Sequence, residues 1–251
     1  MSQPFADHFS SVAAGYASYR PRYPDALFNY LAALAPRRDV AWDCAAGSGQ
    51  AAIALAARFE RVMATDASEA QLRSAPAHPA VTYAVATAES SGLPNASVDL
   101  VTVAQAVHWF DFDRFYAEVR RVATPGAAIA VWSYGMNRVG DAGIDDTVDR
   151  FYRDVVGAYW PPERRLIEEG YRTIPFPFDE LTPPVFDMTE RWTLETMLGY
   201  LRTWSAVSRY HEVHGADPVT ALGRELAPMW GAEDDARQVR WPLAIRVGRV
   251  S

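Results

Sequence analysis

Cysteine is almost missing from this chain of 251 residues, where Cys44 stands alone. No internal disulfide can form, and nothing in the sequence asks for an oxidising compartment. Cys44 lies inside an apolar run and reads as a small buried hydrophobe. Positive charge is also scarce. Lys and Arg together number 24 against 31 Asp and Glu, a formal net charge of −7, so no broad basic face is available for a phosphate backbone and nucleic acid is not an expected partner. The pairs Arg37-Arg38 and Arg164-Arg165 are isolated and read as solvated. No apolar run approaches the roughly 20 residues needed to cross a bilayer. The opening Met1-Ser2-Gln3-Pro4-Phe5-Ala6-Asp7-His8 is polar and acidic, unlike a secretory leader. A cytoplasmic protein without a membrane partner is the expectation. His211 and His214 are spaced H-x-x-H but lack a supporting Cys/His cluster, so no metal site is expected. Ser/His/Asp and paired-carboxylate signatures, internal repeats and low-complexity linkers are missing too. With apolar residues at 49% and charged residues at 22%, the composition is that of one globular α/β core.

What is present begins at Val40-Ala41-Trp42-Asp43-Cys44-Ala45-Ala46-Gly47-Ser48-Gly49-Gln50. This reads as a strand and a glycine turn. A helix-favouring Ala51-Ala52-Ile53-Ala54-Leu55-Ala56-Ala57 follows, then a second strand, Arg61-Val62-Met63-Ala64-Thr65, closed by Asp66. Such a unit places a carboxylate on the ribose of a nucleoside and brings backbone N–H groups to the rest of the ligand. Gly47 and Gly49 allow close approach without Cβ clashes. Gly47, Gly49 and Ala52 also satisfy the dinucleotide spacing G-x-G-x-x-G/A. Against a dinucleotide stands Asp43, whose carboxylate would face a pyrophosphate at close range. A cofactor with a cationic group suits it, and S-adenosyl-L-methionine carries an ammonium and a sulfonium.

Asp43-x-Ala45-x-Gly47-x-Gly49 resembles the first motif of class I S-adenosylmethionine-dependent methyltransferases, E/D-x-G-x-G-x-G, with alanine at position 45 where the family commonly has glycine. That alanine is tolerable if its φ is negative. Ala86-Thr87-Ala88-Glu89-x-x-x-Leu93-Pro94 resembles the adenine-flanking segment after the third strand. Ser97-Val98-Asp99-Leu100-Val101-Thr102-Val103-Ala104-Gln105-Ala106 resembles the fourth strand, with His108-Trp109-Phe110-Asp111 behind it, and Arg121-Val122-x-x-Pro125-Gly126 the turn into the fifth. Tyr16-x-x-x-Arg20-Pro21-x-Tyr23-Pro24, together with His108-Trp109-Phe110-Asp111, is similar to the trans-aconitate methyltransferase-like subgroup. The resemblance implies cofactor contacts at Tyr16, Arg20, Asp43, Ala45, Gly47, Gly49, Asp66, Ala67, Thr87, Ala88, Glu89, Ala104 and Gln105. It implies acceptor contacts at His108, Trp109, Tyr134, Tyr171 and Trp204.

Alternating short strands and helices predict a parallel sheet with right-handed crossovers. Strands are expected at 39–44, 61–66, 81–86, 98–104 and 127–133, and helices at 24–34, 48–58, 68–75 and 112–123. Asp43, Asp66, Glu89 and Gln105 to His108 then fall at strand carboxyl ends, where such sheets bind ligands. Beyond Met136 a helix is predicted over 145–159, an irregular proline-rich stretch over 175–184 and a strand over 185–192. One long helix follows over 193–210, then a helix N-capped by Asp217 with Pro218 at its first position, and a closing strand over 239–250. The resemblance implies an α/β fold: a seven-stranded Rossmann-like, mostly parallel sheet with an antiparallel C-terminal hairpin and a helical cap inserted before it. One domain is expected over 1–251, with a lid and helix over 1–36, the cofactor-binding core over 37–135, the cap over 136–235 and the closing strand over 236–251. The lid would close through Tyr16, Tyr19 and Arg20, held by Phe5 and Phe9, on a hinge at Arg20-Pro21-Arg22-Tyr23-Pro24.

Transfer of a methyl group to a carboxylate needs no general base, because the acceptor is already ionised near neutral pH. A phenol or alcohol would need one, and His108 is placed to act as that base. Arg20 is suited to a bidentate pair with a carboxylate of cofactor or substrate. The second half is rich in aromatic residues, among them Tyr152, Tyr159, Trp160, Tyr171, Trp192, Tyr200 and Trp204, and predicts an aromatic-lined cap over a small-molecule substrate. A monomer or homodimer is expected. A dinucleotide oxidoreductase and an enzyme that cyclises the cofactor's own aminobutyl arm, releasing methylthioadenosine, remain the alternatives.

Overall fold

The computed structural model describes residues 19–232 and 234–250. Helix α1, Asp25–Leu34, begins directly after Pro24 and turns Leu27, Phe28, Leu31 and Ala32 inward at helical spacing. Strand β1, Val40–Cys44, is buried along its whole length, as its apolar run demands of a strand covered on both faces. The chain then alternates through α2 (Gln50–Ala56), β2 (Arg61–Asp66), α3 (Glu69–Arg73), β3 (Val81–Val85), β4 (Val98–Ala104), α4 (Phe112–Val122) and β5 (Ala123–Tyr134). The order β3-β2-β1-β4-β5 is parallel throughout. It reverses direction across β1, which opens a crevice at the strand carboxyl ends. Asp99, at the opposite ends of the strands, is buried. It accepts the amides of Asp39 and Val40 at 3.1 and 3.2 Å and the Thr124 hydroxyl at 2.8 Å. Arg37 also reaches Asp99, and Arg38 donates to the Ala32 carbonyl, so this pair is engaged and not simply solvated.

Three further strands complete the sheet: β6 (Asp179–Leu181), β7 (Asp187–Trp192) and β8 (Arg237–Arg249). β8 runs antiparallel to β5 through residues 243–249, while β6 and β7 pair antiparallel with successive parts of β8. Among the described residues the sheet therefore has eight strands, not seven. The extra one, β6, lies within the proline-rich stretch expected to be irregular. Bidentate bonds from Arg246 to Glu180, both 2.7 Å, fasten it to β8.

The cap also differs from expectation in where it enters. It comes from two insertions, one between β5 and β6 and one between β7 and β8. The first holds α5 (Ala142–Arg150), whose N-cap is Asp141, then a π-helical turn over Phe151–Val155, a 3₁₀ turn over Gly157–Tyr159 and α6 (Arg164–Glu168). The single helix expected over 145–159 is thus broken after residue 150. The second holds α7 (Leu194–Arg202), α8 (Ser205–His214) and α9 (Pro218–Trp230), the last capped by Asp217 as expected. The helix expected over 193–210 is two. Thr203 folds its hydroxyl back onto the Tyr200 carbonyl at 2.6 Å, and Trp204 is extended at ψ 132°. That break drives the indole into the cap core, where Phe151, Tyr152, Trp160 and Tyr200 surround it.

Candidate active site

The turn after β1 is held by the acid that ends β2. Gly47 donates its amide to Asp66 Oδ2 and Ser68 donates its own to Asp66 Oδ1, both at 2.8 Å. Asp66 therefore shapes the loop whose ligand it is expected to bind, and Ala67 follows it half-buried. Gly47 and Gly49 have φ of +55° and +81°. A Cβ on Gly47 would approach nothing closer than Gln71 Oε1, at 3.9 Å, so the space before it is open. Ala45 has φ +55°, so the negative φ that would make an alanine there easily tolerated is not what the turn adopts. The left-handed conformation costs an alanine about 1–2 kcal/mol, and the turn holds it regardless.

Asp43 is buried in β1. Its Oδ1 accepts from the Thr102 hydroxyl at 2.9 Å. Among the described residues Oδ2 has no partner of good hydrogen-bonding geometry, although the Ala52 amide lies near enough to favour the charged form. Burial, with the neighbouring Asp66 charge, pushes the carboxyl up to about 7. A buried carboxylate with an unused oxygen fits a cationic ligand group, and a pyrophosphate would meet negative charge at both 43 and 66. The observed donor set thus fits the ammonium-bearing cofactor.

At the neighbouring strand ends Ala88 is buried, Thr87 bridges to Ser90, and Glu89 Oε1 accepts the Asp111 amide at 3.1 Å. Ala104 ends β4, and Gln105 takes φ +57°, donating through its backbone to Trp132 and through Nε2 to the Tyr134 carbonyl. Gln105 Oε1 is buried without a partner among the described residues. Arg20 is no surface residue. It is half-buried with Nε shut away from solvent, and it donates to the Tyr134 hydroxyl at 2.6 Å. Gln50 donates to the Pro21 carbonyl at 2.9 Å, which ties the entry segment to the glycine turn. The ring of Tyr19 lies on Gly199 so closely that no Cβ would fit there. Tyr16, with Phe5, Phe9 and most of the expected lid, falls outside the described residues.

His108 and Tyr171, separated by 63 positions, meet at 2.8 Å between Nδ1 and the phenol oxygen. Trp109 stacks obliquely on His108 at 4.7 Å and is 36% exposed. Burial, helped by the Arg164 charge, drives the His108 ring down to about 3. A base works best with a pKa near the working pH, so the imidazole is poorly suited to the base role expected of it. Trp204 stays in the cap core and does not join this pair. It touches Trp160, which borders an open groove of about 410 Å³ with Tyr152, Pro161 and Arg164. Arg164 lies over the Trp160 ring at 4.5 Å and donates to Tyr152 at 2.9 Å, contrary to its reading as solvated.

Residues 42–131 match the methyltransferase domain family. A Dictyostelium discoideum protein named as a candidate methyltransferase is 32% identical over 233 residues, 92% of this chain and 89% of its own length. The chain belongs to the methyltransferase family. It is of the class I, S-adenosylmethionine-dependent kind, and the fold agrees. A candidate type II methyltransferase from Anaeromyxobacter dehalogenans is 54% identical with a TM-score of 0.86, covering 92% of this chain and 98% of that one. An uncharacterized methyltransferase of Mycobacterium tuberculosis is 31% identical over 192 residues, 76% of this chain and 73% of its own.

Sequence reasoning about this methyltransferase missed Thr102 as the partner of Asp43 and Arg246 as the support of Tyr171. Thr102 had a visible signal: a hydroxyl inside the otherwise apolar run of β4. Arg246 had none, because its contacts to the Tyr171 and Ile174 carbonyls lie 75 and 72 positions away.

Proposed function

We propose that this methyltransferase moves the methyl group of S-adenosyl-L-methionine to a small molecule, onto a carboxylate oxygen or a heteroaromatic nitrogen, as a relative of the trans-aconitate methyltransferase-like subgroup. The observation that carries the cofactor is Asp43: buried, adjacent to the glycine turn, with one oxygen unused. Asp43 would take the ammonium end, Asp66 the ribose hydroxyls, and Gly47 and Gly49 the close backbone approach. Thr87, Ala88 and Glu89 would border the adenine, and Ala104 with Gln105 the methyl-bearing end. Bound there, S-adenosylmethionine supplies an electrophilic methyl on a sulfonium. The protein contributes orientation and exclusion of water. Arg20, with Tyr134, is placed to orient a carboxylate, and His108, Trp109 and Tyr171 to wall the acceptor side.

Calorimetry decides the cofactor. S-adenosylmethionine and its demethylated product should bind, and Asp66→Ala should weaken both at least tenfold, since a charge-assisted hydrogen bond contributes about 1.5–3 kcal/mol. Binding of NAD(H) without S-adenosylmethionine would overturn the reading. Methylthioadenosine released from cofactor alone would point to self-cyclisation in place of transfer.

A further inference from the structure

The contact between Tyr171 and His108 fixes which imidazole nitrogen carries the proton. The Tyr171 hydroxyl lies 2.8 Å from His108 Nδ1 and has no other hydrogen-bond partner among the described residues. Both side chains are buried. A phenol O–H enclosed in this way must donate, and Nδ1 is the acceptor in reach; the reverse arrangement would leave the O–H without an acceptor. The proton of the neutral ring therefore sits on Nε2. That nitrogen has no partner among the described residues. It stands just beyond the carboxyl end of β4, where sheets of this type hold their ligands.

The backbone beneath Tyr171 is arranged for this contact. Gly170 and Tyr171 take φ of +61° and +59° in succession, a conformation an aromatic residue adopts only when its surroundings impose it. Arg246 imposes it here. Its Nη1 donates to the carbonyls of Tyr171 and Ile174 at 3.3 and 2.7 Å while Nε and Nη2 grip Glu180.

We infer that Tyr171 is a positioning residue that holds His108 as an Nε2–H donor towards the acceptor side of the site. Its part in transfer rests on the methyl-transfer reading above. In this tautomer the ring donates and cannot remove a proton, so it orients an acceptor instead of deprotonating it. The Arg164 charge together with burial keeps the imidazole neutral.

Nitrogen-15 NMR of the histidine ring in the whole protein tests the positioning with neither cofactor nor acceptor, and so stands apart from the methyl-transfer reading. The pattern of the Nε2–H tautomer is expected for His108 at neutral pH, giving way to a mixture in Tyr171→Phe. An Nδ1–H pattern in the wild type, or no change in the variant, overturns it. The donor role is tested with labelled cofactor and a mixed pool of carboxylic acids, phenols and amines. His108→Gln, whose amide N–H replaces Nε2–H, should retain turnover within about tenfold of wild type, with His108→Ala lower by a further tenfold or more. Equal loss in the two His108 variants overturns it.

Discussion

Asp43 couples cofactor binding to pH. Its carboxyl titrates at about 7 in the folded protein against 3.8 when free, raised by burial first and by Asp66 in addition. Between those values the folded chain holds a proton that the unfolded chain has released, so stability of the cofactor-free protein falls as pH rises from 4 to 7 and then levels. A cationic ligand needs the ionised form. Affinity for S-adenosylmethionine should therefore rise with pH, approaching tenfold per unit below pH 7 and flattening above it. Asp43→Asn should abolish that dependence; titration calorimetry between pH 5.5 and 8.5 reads it out, and a flat wild-type profile would remove Asp43 from the ammonium site. Two positions on, Ala45 carries a left-handed φ of +55°. Ala45→Gly should stabilise the protein by up to about 1 kcal/mol by removing the Cβ penalty, seen as a higher Tm with the cofactor affinity kept.

Glu118 is among the residues that fasten helix α4 to the segment after β3. Glu118 accepts the Ser91 amide and hydroxyl at 2.8 and 2.5 Å, and Arg121 grips it with two bonds of 2.7 Å. The Arg121 bonds come first in holding its carboxyl down to about 2, with those from Ser91 adding to them. This stability is complete above the unfolded value near 4.5 and is lost as pH falls towards 2. Glu118→Gln should cost about 1–3 kcal/mol at pH 7 and less at pH 3, where part of the contribution remains; thermal melts at both pH values check it. Elements of this kind were legible in the sequence to different degrees. The strands β1, β2 and β4 were, because a strand buried on both faces must be written as an apolar run. The break between α7 and α8 was not, since Leu194, Met197, Leu198, Leu201 and Trp204 keep helical spacing across it, and only the cap core's demand for the indole ends the helix. At the site, Asp43, Gly47 and Asp66 were readable because a short loop brings them together. The partnership of His108 with Tyr171 depends on a left-handed turn stabilised by Arg246, and no local pattern records that.

Across the whole molecule, β8 is the element shared by sheet and cap. Residues 243–249 pair with β5 while 237–242 pair with β7, and Trp241 packs between Trp192 at 4.6 Å and Tyr200 at 5.7 Å. Sheet and cap should therefore unfold together. Trp241→Ala should cost about 3–5 kcal/mol and lower one common transition, followed by tryptophan fluorescence and far-ultraviolet circular dichroism. Two separate melts in the wild type would refute the coupling. The chain has no lysine, so all 24 of its Lys and Arg positions are arginine, and several of these planar forks bind backbone carbonyls across long separations, as Arg246 and Arg249 do. The position of β8 has a consequence for how the protein is made. It leaves the ribosome after every other described element, so during translation the β5 edge stays open from Ala128 to Tyr134 and the cap aromatics wait for Trp241. An exposed edge beside unpacked aromatic surface is prone to pair with another chain. Premature termination before residue 237 should thus yield a chaperone-bound or aggregated product rather than a smaller active enzyme.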